Sequence, residues 1–109
     1  MCLEAVKRHG RALQFVKKQT LEICLEAVRN YSYALKFAKV QSPEMCLLAV
    51  KDSWDNLLYV KKQTPEICLE AVKQNGMFLN QVKKQTLEIC LEAIKQSYDA
   101  IQFIKDKKI

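Results

Sequence analysis

Apolar residues recur along this chain in a pattern that repeats every 22 residues. In each period a cysteine and a leucine are followed by an alanine and then a valine or isoleucine, as in Cys24, Leu25, Ala27 and Val28. Spacings of three and four place these side chains on one face of a helix, whereas a half-buried strand would alternate with period two. The pattern therefore predicts helices and disfavours strands.

Each period contains a second apolar cluster, which predicts a second helix. In the second repeat we expect the first helix over about residues 21–30 and the second over about residues 32–41. The second segment carries Ala34, Leu35 and Phe37 at helical spacing. Turn signals separate the paired helices at His9-Gly10, Tyr31-Ser32, Ser53-Trp54, Asn75-Gly76 and Ser97-Tyr98.

A start signal precedes most of the first helices. A hydroxyl residue that can accept a free backbone N–H is followed two positions later by an acidic residue, near the positive end of the helix dipole. The hydroxyl residues are Thr20, Ser42, Thr64 and Thr86, and the acidic residues are Glu22, Glu44, Glu66 and Glu88.

Helices of roughly ten residues are marginal alone in water, so one pair cannot bury its apolar face. Stacking five pairs can bury it, because each copy supplies the interface for its neighbour. We predict an all-α fold, an α-solenoid of five 22-residue helix-turn-helix repeats with about ten short helices. The single domain spans residues 1–109, with repeats at about 1–19, 20–41, 42–63, 64–85 and 86–109. Neither terminal repeat has a polar cap, so a longer array, cover by another chain and end-to-end self-association stay open.

One family resemblance supports this architecture. The segment "CLEAVKQNGMFLNQVKKQTLEICLEAI", residues 68–94, resembles a short helical repeat of unknown function found in giant-virus and some bacterial proteins. The cysteine, the alanine, the Asn-Gly turn and the Gln-Thr pair recur in the places that this family implies. The third repeat departs most, with Leu48, Ser53 and Trp54 where the family pattern has Glu, Asn and Gly. The resemblance implies a fold and no chemistry.

Charge and hydropathy narrow the class of protein. The net charge of +6 permits an acidic partner, nucleic acid included, without requiring one. No apolar run approaches the ~18 residues of a membrane-spanning helix, and the N-terminus lacks the pattern of a signal peptide. We therefore expect a soluble protein of the reducing cytoplasm.

The five cysteines are equivalent: Cys2, Cys24, Cys46, Cys68 and Cys90. Neighbouring helices in a solenoid lie about 8–10 Å apart or more, too far for equivalent residues to form a disulfide easily. A zinc site would need closely spaced ligands, and the chain has only one histidine, His9, in a turn. We interpret the cysteines as small buried residues of the stack.

Candidates for catalysis and cofactor binding are scarce. The chain has no glycine-rich phosphate loop and no nucleophile with a plausible base, and Glu4, Glu26, Glu70 and Glu92 each precede a basic residue by three positions, as in solvated helix-face pairs. We expect no enzyme activity, no metal and no cofactor.

Positions at which the copies disagree are free of the requirements of the stack, so they can carry recognition. Many fall on one stripe of the second helix, at Arg11/Gln14/Lys18, Tyr33/Lys36/Val40, Asp55/Leu58/Lys62, Met77/Asn80/Lys84 and Asp99/Gln102/Asp106. Tyrosine and tryptophan residues in or beside the turns suggest interface anchors. Two leucines of the third repeat, in columns that are otherwise polar, suggest an exposed apolar patch, although different packing of this repeat or neutral surface drift also explains them. The predicted protein-binding residues are Tyr31, Tyr33, Lys36, Leu48, Trp54, Asp55, Leu58, Met77, Asn80 and Tyr98. In the fourth repeat Phe78 replaces alanine while Gln81 replaces an aromatic residue, which we interpret as a packing exchange.

The sequence favours a non-catalytic module that binds another protein, of unknown identity, with a stoichiometric inhibitor such as an antitoxin or anti-defence protein as one form. The alternative is nucleic-acid binding through a ladder of lysines. That ladder comprises Lys17, Lys18, Lys39, Lys61, Lys62, Lys83, Lys84 and Lys105. Repetition alone also explains it, if each lysine closes the second helix at the negative end of its dipole.

Overall fold

A computed structural model describes residues 2–105 of the chain, and within that range every regular element is helical. In residues 2–105 five α-helices alternate with five short 3₁₀ helices. The α-helices are α1 (Cys2–Arg8), α2 (Leu21–Asn30), α3 (Pro43–Asp52), α4 (Pro65–Gln74) and α5 (Leu87–Gln96). The 3₁₀ helices are η1 (Gly10–Phe15), η2 (Ser32–Phe37), η3 (Trp54–Tyr59), η4 (Gly76–Gln81) and η5 (Tyr98–Phe103). The predicted all-α repeat fold is confirmed.

The second helix of each repeat is shorter and tighter than the sequence predicts. In the second repeat it ends at Phe37 rather than near residue 41, and it is a 3₁₀ helix. The backbone N–H of Lys39 donates to the Oε1 atom of Gln19 at 2.7 Å, while the carbonyl of Phe37 accepts from Nε2 of the same side chain at 3.0 Å. A glutamine of the preceding repeat thus pairs both of these backbone groups just beyond the helix end.

The helix starts follow the predicted chemistry. Thr20 Oγ1 accepts the backbone N–H of Ile23 at 3.2 Å, and Ser42 Oγ accepts that of Met45 at 3.1 Å. Thr64 and Thr86 repeat the arrangement. Proline opens α3 and α4, where its missing N–H costs nothing.

The core runs along the whole stack as columns of equivalent side chains. One leucine column of the 3₁₀ helices is fully buried, at Leu13, Leu35, Leu57 and Leu79. The α-helices add the cysteine and alanine columns, buried at Cys24, Cys46, Cys68, Cys90, Ala27, Ala49, Ala71 and Ala93. Because each buried face is shared between neighbouring repeats, the stack rather than the single repeat is the stable unit.

Glutamine side chains connect successive repeats. Gln41 Nε2 donates to the carbonyl of Leu35 at 3.3 Å and to that of Tyr59, one repeat later, at 2.9 Å. Its Oε1 atom accepts the backbone N–H of Lys61 at 3.0 Å and the thiol of Cys46 at 3.4 Å. Equivalent bonds to the next repeat are made by Gln19, Gln63 and Gln85. We call this set the glutamine clamp.

The turn within each repeat is a single extended residue, and in the first and fourth repeats it is followed by a closely packed glycine. Gly10 comes directly after His9, and a Cβ atom on Gly10 would lie 2.6 Å from the carbonyl oxygen of Ala27 in the next repeat. No residue in the described range has a positive φ, so glycine serves close approach here rather than backbone conformation.

The repeats form a rod of 52 × 18 × 17 Å with two distinct long edges. A ten-residue α-helix is about 15 Å long and so spans the width of the rod. We call one edge the turn edge (residues 8–11, 29–33, 51–55, 73–77 and 95–99) and the other the lysine edge (residues 17–20, 39–42, 61–64, 83–86 and 105). None of the helices in residues 2–105 is long and apolar enough to cross a membrane.

Replacing Gln41 with leucine tests the glutamine clamp. The Gln41→Leu variant should lower the free energy of unfolding by about 2–3 kcal/mol, because it removes several hydrogen bonds worth roughly 1 kcal/mol each and leaves backbone groups unpaired. Urea denaturation measures the change. The matched control is Gln14→Leu, since Gln14 is exposed and donates only to Arg11 within its own helix. Equal midpoints for the two variants would contradict the clamp.

Candidate protein-binding site

Three predicted interface residues line one pocket on the turn edge. Tyr31, Tyr33 and Leu48 surround a pocket of about 310 Å³ between the second and third repeats. The other lining residues are Val28, Arg29, Asn30, Ser32 and Asp52. We call it the tyrosine pocket.

Hydrogen bonds hold the tyrosine pocket in shape. The rings of Tyr31 and Tyr33 are tilted against each other with centroids 5.6 Å apart. The Tyr33 hydroxyl donates a hydrogen bond to Ser53 Oγ at 3.2 Å, and the Ser53 hydroxyl in turn donates one to Asp55. Tyr33 and Asp55 are therefore linked through Ser53, and the aromatic surface is ordered before any partner arrives.

A buried polar network lies behind this pocket. Asn56 is fully buried at a position where the first, second and fifth repeats have alanine. Its Nδ2 atom donates to Ser32 Oγ at 3.2 Å and to the carbonyl of Ala49 at 2.9 Å, and Ser32 in turn donates to Asp52 at 2.6 Å. Within the described part of the chain the Oδ1 atom of Asn56 has no hydrogen-bond partner. An unpaired buried acceptor costs about 1–3 kcal/mol, so the stack carries a polar group that packing does not require.

A second pocket adjoins the first on the same edge. It measures about 240 Å³ and lies between the first and second repeats, lined by Arg8, His9, Gly10, Arg11, Asn30 and Tyr31. Asn30 and Tyr31 belong to both pockets. The side chain of Asn30 accepts the N–H of Gly10 at 2.8 Å and donates to the carbonyl of Lys7 at 2.9 Å, which fixes the wall between them.

The other predicted interface residues lie outside the tyrosine pocket. Trp54 is partly buried and contacts Phe78 of the next repeat edge-on, with ring centroids 4.8 Å apart. Phe78, the aromatic residue that replaces alanine in the fourth repeat, therefore packs against Trp54. Met77 also packs against the core. Lys36, Leu58, Asn80 and Tyr98 are exposed, and Asp55 is partly buried.

The predicted stripe holds only in part. Residues three apart stay on one face, because a 3₁₀ helix has three residues per turn. Its last members, Lys18, Val40, Lys62 and Lys84, come after the helix ends and so do not continue that face. Asp106 lies outside the described residues.

The lysine ladder lies on the opposite edge. Lys39, Lys61 and Lys62 line a pocket of about 310 Å³ together with the helix-start residues Ser42, Pro43 and Thr64. Lys83 and Lys84 line a smaller equivalent of about 130 Å³. Lys17, Lys18 and Lys105 are exposed, and the ammonium of Lys61 donates to the carbonyl of Lys39 at 3.0 Å.

The prediction that these lysines close the second helix at the negative end of its dipole is wrong, because they follow the helix instead of ending it. The 3₁₀ helices end two residues before the first lysine of each repeat. In the second to fifth repeats that lysine is instead fixed through its backbone N–H by the glutamine clamp.

The cysteine column offers little nucleophilic or metal-binding capacity. Cys24, Cys46, Cys68 and Cys90 are free and buried. Burial raises the pKa of all four thiols, that of Cys68 to about 11, so they stay protonated at neutral pH. Each thiol donates to the clamp glutamine five residues earlier, a hydrogen-bonding role that the sequence alone did not suggest. Residues 2–105 hold no group of three or more side chains suited to a metal ion.

Comparison with known families agrees with this architecture. A family model described as a domain of unknown function (DUF4116) matches residues 1–41 and 64–107, which is most of the chain. The chain belongs to the DUF4116 family. Neither a curated protein nor a solved structure matches it.

The DUF4116 match omits residues 42–63, which form the third repeat. This repeat supplies Leu48 and Asp52 to the tyrosine pocket and Asn56 to the polar network behind it. The departure from the DUF4116 pattern therefore coincides with the most differentiated surface of the rod.

Sequence reasoning placed Arg11 on the recognition stripe but missed Arg8 and Arg29, and it named none of the three as a binding residue. Arg8, Arg11 and Arg29 are the only arginines in the chain, and all three line the two turn-edge pockets. Their restriction to residues 8–29 is visible in the sequence, but only the stacked repeats bring Arg11 next to Tyr31.

Proposed function

We propose that this protein is a non-catalytic module that binds another protein through the turn edge of its first three repeats. The observation that carries the proposal is the convergence of Tyr31, Tyr33 and Leu48 on one pocket. Tyrosine contributes large contact area at interfaces, and a leucine that is 39% exposed in place of glutamate has no role in the stack. The columns that the copies share build the rod, and the tyrosine pocket is where the copies differ most.

A stoichiometric inhibitor, such as an antitoxin or anti-defence protein of viral or bacterial origin, is the form of binding that we propose. A rigid rod with an ordered aromatic pocket can occlude a surface of its target without chemistry of its own. The four free, buried cysteines fit a reducing compartment such as the cytoplasm.

The Leu48→Glu variant tests the proposed interface. Glutamate occupies this position in the other four repeats, so the variant should fold normally. The tagged full chain is used to purify the partner from source cells, and the affinity of the purified pair is then measured calorimetrically. Leu48→Glu should weaken binding by about tenfold or more, because burying a leucine contributes about 1.5–3 kcal/mol.

The matched control is Leu87→Glu. Leu87 is 54% exposed at the first position of α5, where an acidic residue suits the helix dipole. This variant should bind within about twofold of the parent protein. Equal losses for the two variants, or no loss for Leu48→Glu, would remove the tyrosine pocket from the interface.

Nucleic-acid binding through the lysine edge is the second candidate. Two equivalent clefts, one lined by Lys61 and Lys62 and the other by Lys83 and Lys84, support it. Repeated cationic clefts could follow a phosphate backbone.

Labelled RNA and DNA at ~50 and ~200 mM salt test this second candidate, since phosphate contacts weaken steeply with salt. The candidate requires binding at low salt that the double variant Lys62→Gln/Lys84→Gln weakens. The control Lys73→Gln/Lys95→Gln removes the same charge from exposed helix positions. No binding at the lower salt, or equal losses for both double variants, would eliminate the candidate.

A further inference from the structure

The pocket between the first and second repeats is lined by cationic side chains and by no carboxylate. Its lining contains two guanidinium groups, an imidazole, an amide and a phenol, from Arg8, Arg11, His9, Asn30 and Tyr31. We call it the arginine pocket.

Arg11 is held in place without being neutralised. Its guanidinium lies 5.2 Å from the ring centroid of Tyr31, and one Nη atom donates to the tyrosine hydroxyl at 3.4 Å. Arg8 pairs with Glu4 at 3.7 Å and Arg29 with Glu26 at 3.2 Å, but Arg11 has no carboxylate partner among the residues that the structure describes.

A guanidinium carries five N–H donors in a planar fork that matches a carboxylate in two-point geometry. Stacking on Tyr31 already restrains the long side chain, so less conformational freedom is lost when an anion binds. The arginine pocket is therefore ready to accept an anionic group.

The neighbouring tyrosine pocket restricts the source of that anion. Asp52 lines the tyrosine pocket, and Asp55 lies on the same edge. These carboxylates would repel a phosphate backbone running along the turn edge. A peptide segment that places an acidic residue at Arg11 and an apolar residue against Leu48 avoids this repulsion.

We propose that the arginine pocket binds a carboxylate from an acidic segment of the protein partner, whose apolar neighbour enters the tyrosine pocket. The proposal rests on the protein-binding function above and adds the chemistry of the segment that is recognised.

The chain contains its own control position. Gly76 in the fourth repeat is equivalent to Gly10, and they are the only two glycines. Around Gly76 the positions of Arg8, His9 and Arg11 are held by Gln74, Asn75 and Met77. The backbone is therefore repeated there without the cationic side chains.

Nuclear magnetic resonance of the ¹⁵N-labelled full chain tests the proposal. The probe is a peptide of about ten residues that alternates glutamate with leucine, an extended segment of the kind that such grooves recognise. It is compared with a peptide that has glutamine for glutamate and with a single-stranded DNA of equal charge. The glutamate peptide should shift the amide signal of Gly10 and leave that of Gly76 in place, and the glutamine peptide should shift neither.

Two substitutions attribute the shift to the guanidinium. Arg11→Gln should weaken binding of the glutamate peptide by about tenfold, and Arg11→Lys should recover little, because an ammonium lacks the fork. Lys95→Gln removes the same charge from an exposed position of α5, in the fifth repeat, and should change the affinity by less than about twofold. Circular dichroism of each variant checks that the fold is retained.

Several results would overturn the proposal. They are an absent Gly10 shift at millimolar peptide, equal shifts at Gly10 and Gly76, equal losses for Arg11→Gln and Lys95→Gln, and tighter binding of the DNA at Gly10. A failure here with a positive Leu48→Glu result would leave the protein-binding function intact. A failure of Leu48→Glu with a positive Gly10 result would remove the tyrosine pocket alone.

Discussion

The structure depends on hydrogen bonds between each clamp glutamine and the backbone of the next repeat. Gln19 illustrates the arrangement, because its amide oxygen accepts the N–H of Lys39 while its amide nitrogen donates to the carbonyl of Phe37. In the second to fifth repeats these bonds hold the backbone that follows the 3₁₀ helix and join it to the preceding repeat. Apolar burial provides most of the driving force for stacking, and the clamp fixes the register in which the apolar columns meet. A chain built from one repeated phrase needs such a device, because its similar columns could otherwise pair out of register.

Holding the repeats together at the lysine edge leaves the turn edge free to vary. There the copies differ, and the third repeat differs most from the DUF4116 pattern. It places Leu48 on the surface and buries the polar Asn56, a departure with a cost in stability. Proteins commonly violate the rules of packing at functional sites, and this supports our proposal of the turn edge as the binding surface. The arginines and tyrosines of the first two repeats extend that surface by a second pocket of different charge.

Much of the fold is accessible from the sequence, because helix starts and apolar columns are local signals repeated five times. Thr20 as a cap and Leu35 as a core residue follow from spacing alone. The 3₁₀ geometry does not, because apolar spacing over six residues does not separate an α-helix from a 3₁₀ helix. The bonds of Gln19 to backbone one repeat away are likewise not a local signal. For the same reason the sequence predicts Trp54 as an interface anchor without revealing its contact with Phe78, and it gives no sign that Arg11 lies above Tyr31. Sequence comparison among the copies identifies variable positions, but only the stack shows which of them share a pocket.

Amide hydrogen exchange at the lysine edge tests the glutamine clamp most directly. Lys39, Lys61 and Lys83 are exposed and lie outside the helices, yet their N–H groups donate to clamp glutamines. Lys17 holds the equivalent position in the first repeat, and in the described part of the chain no glutamine of an earlier repeat accepts its N–H. The account predicts that the three clamped amides exchange at least about 100-fold more slowly than that of Lys17, at rates set by opening of the stack. Exchange of all four amides at one fast rate would contradict it.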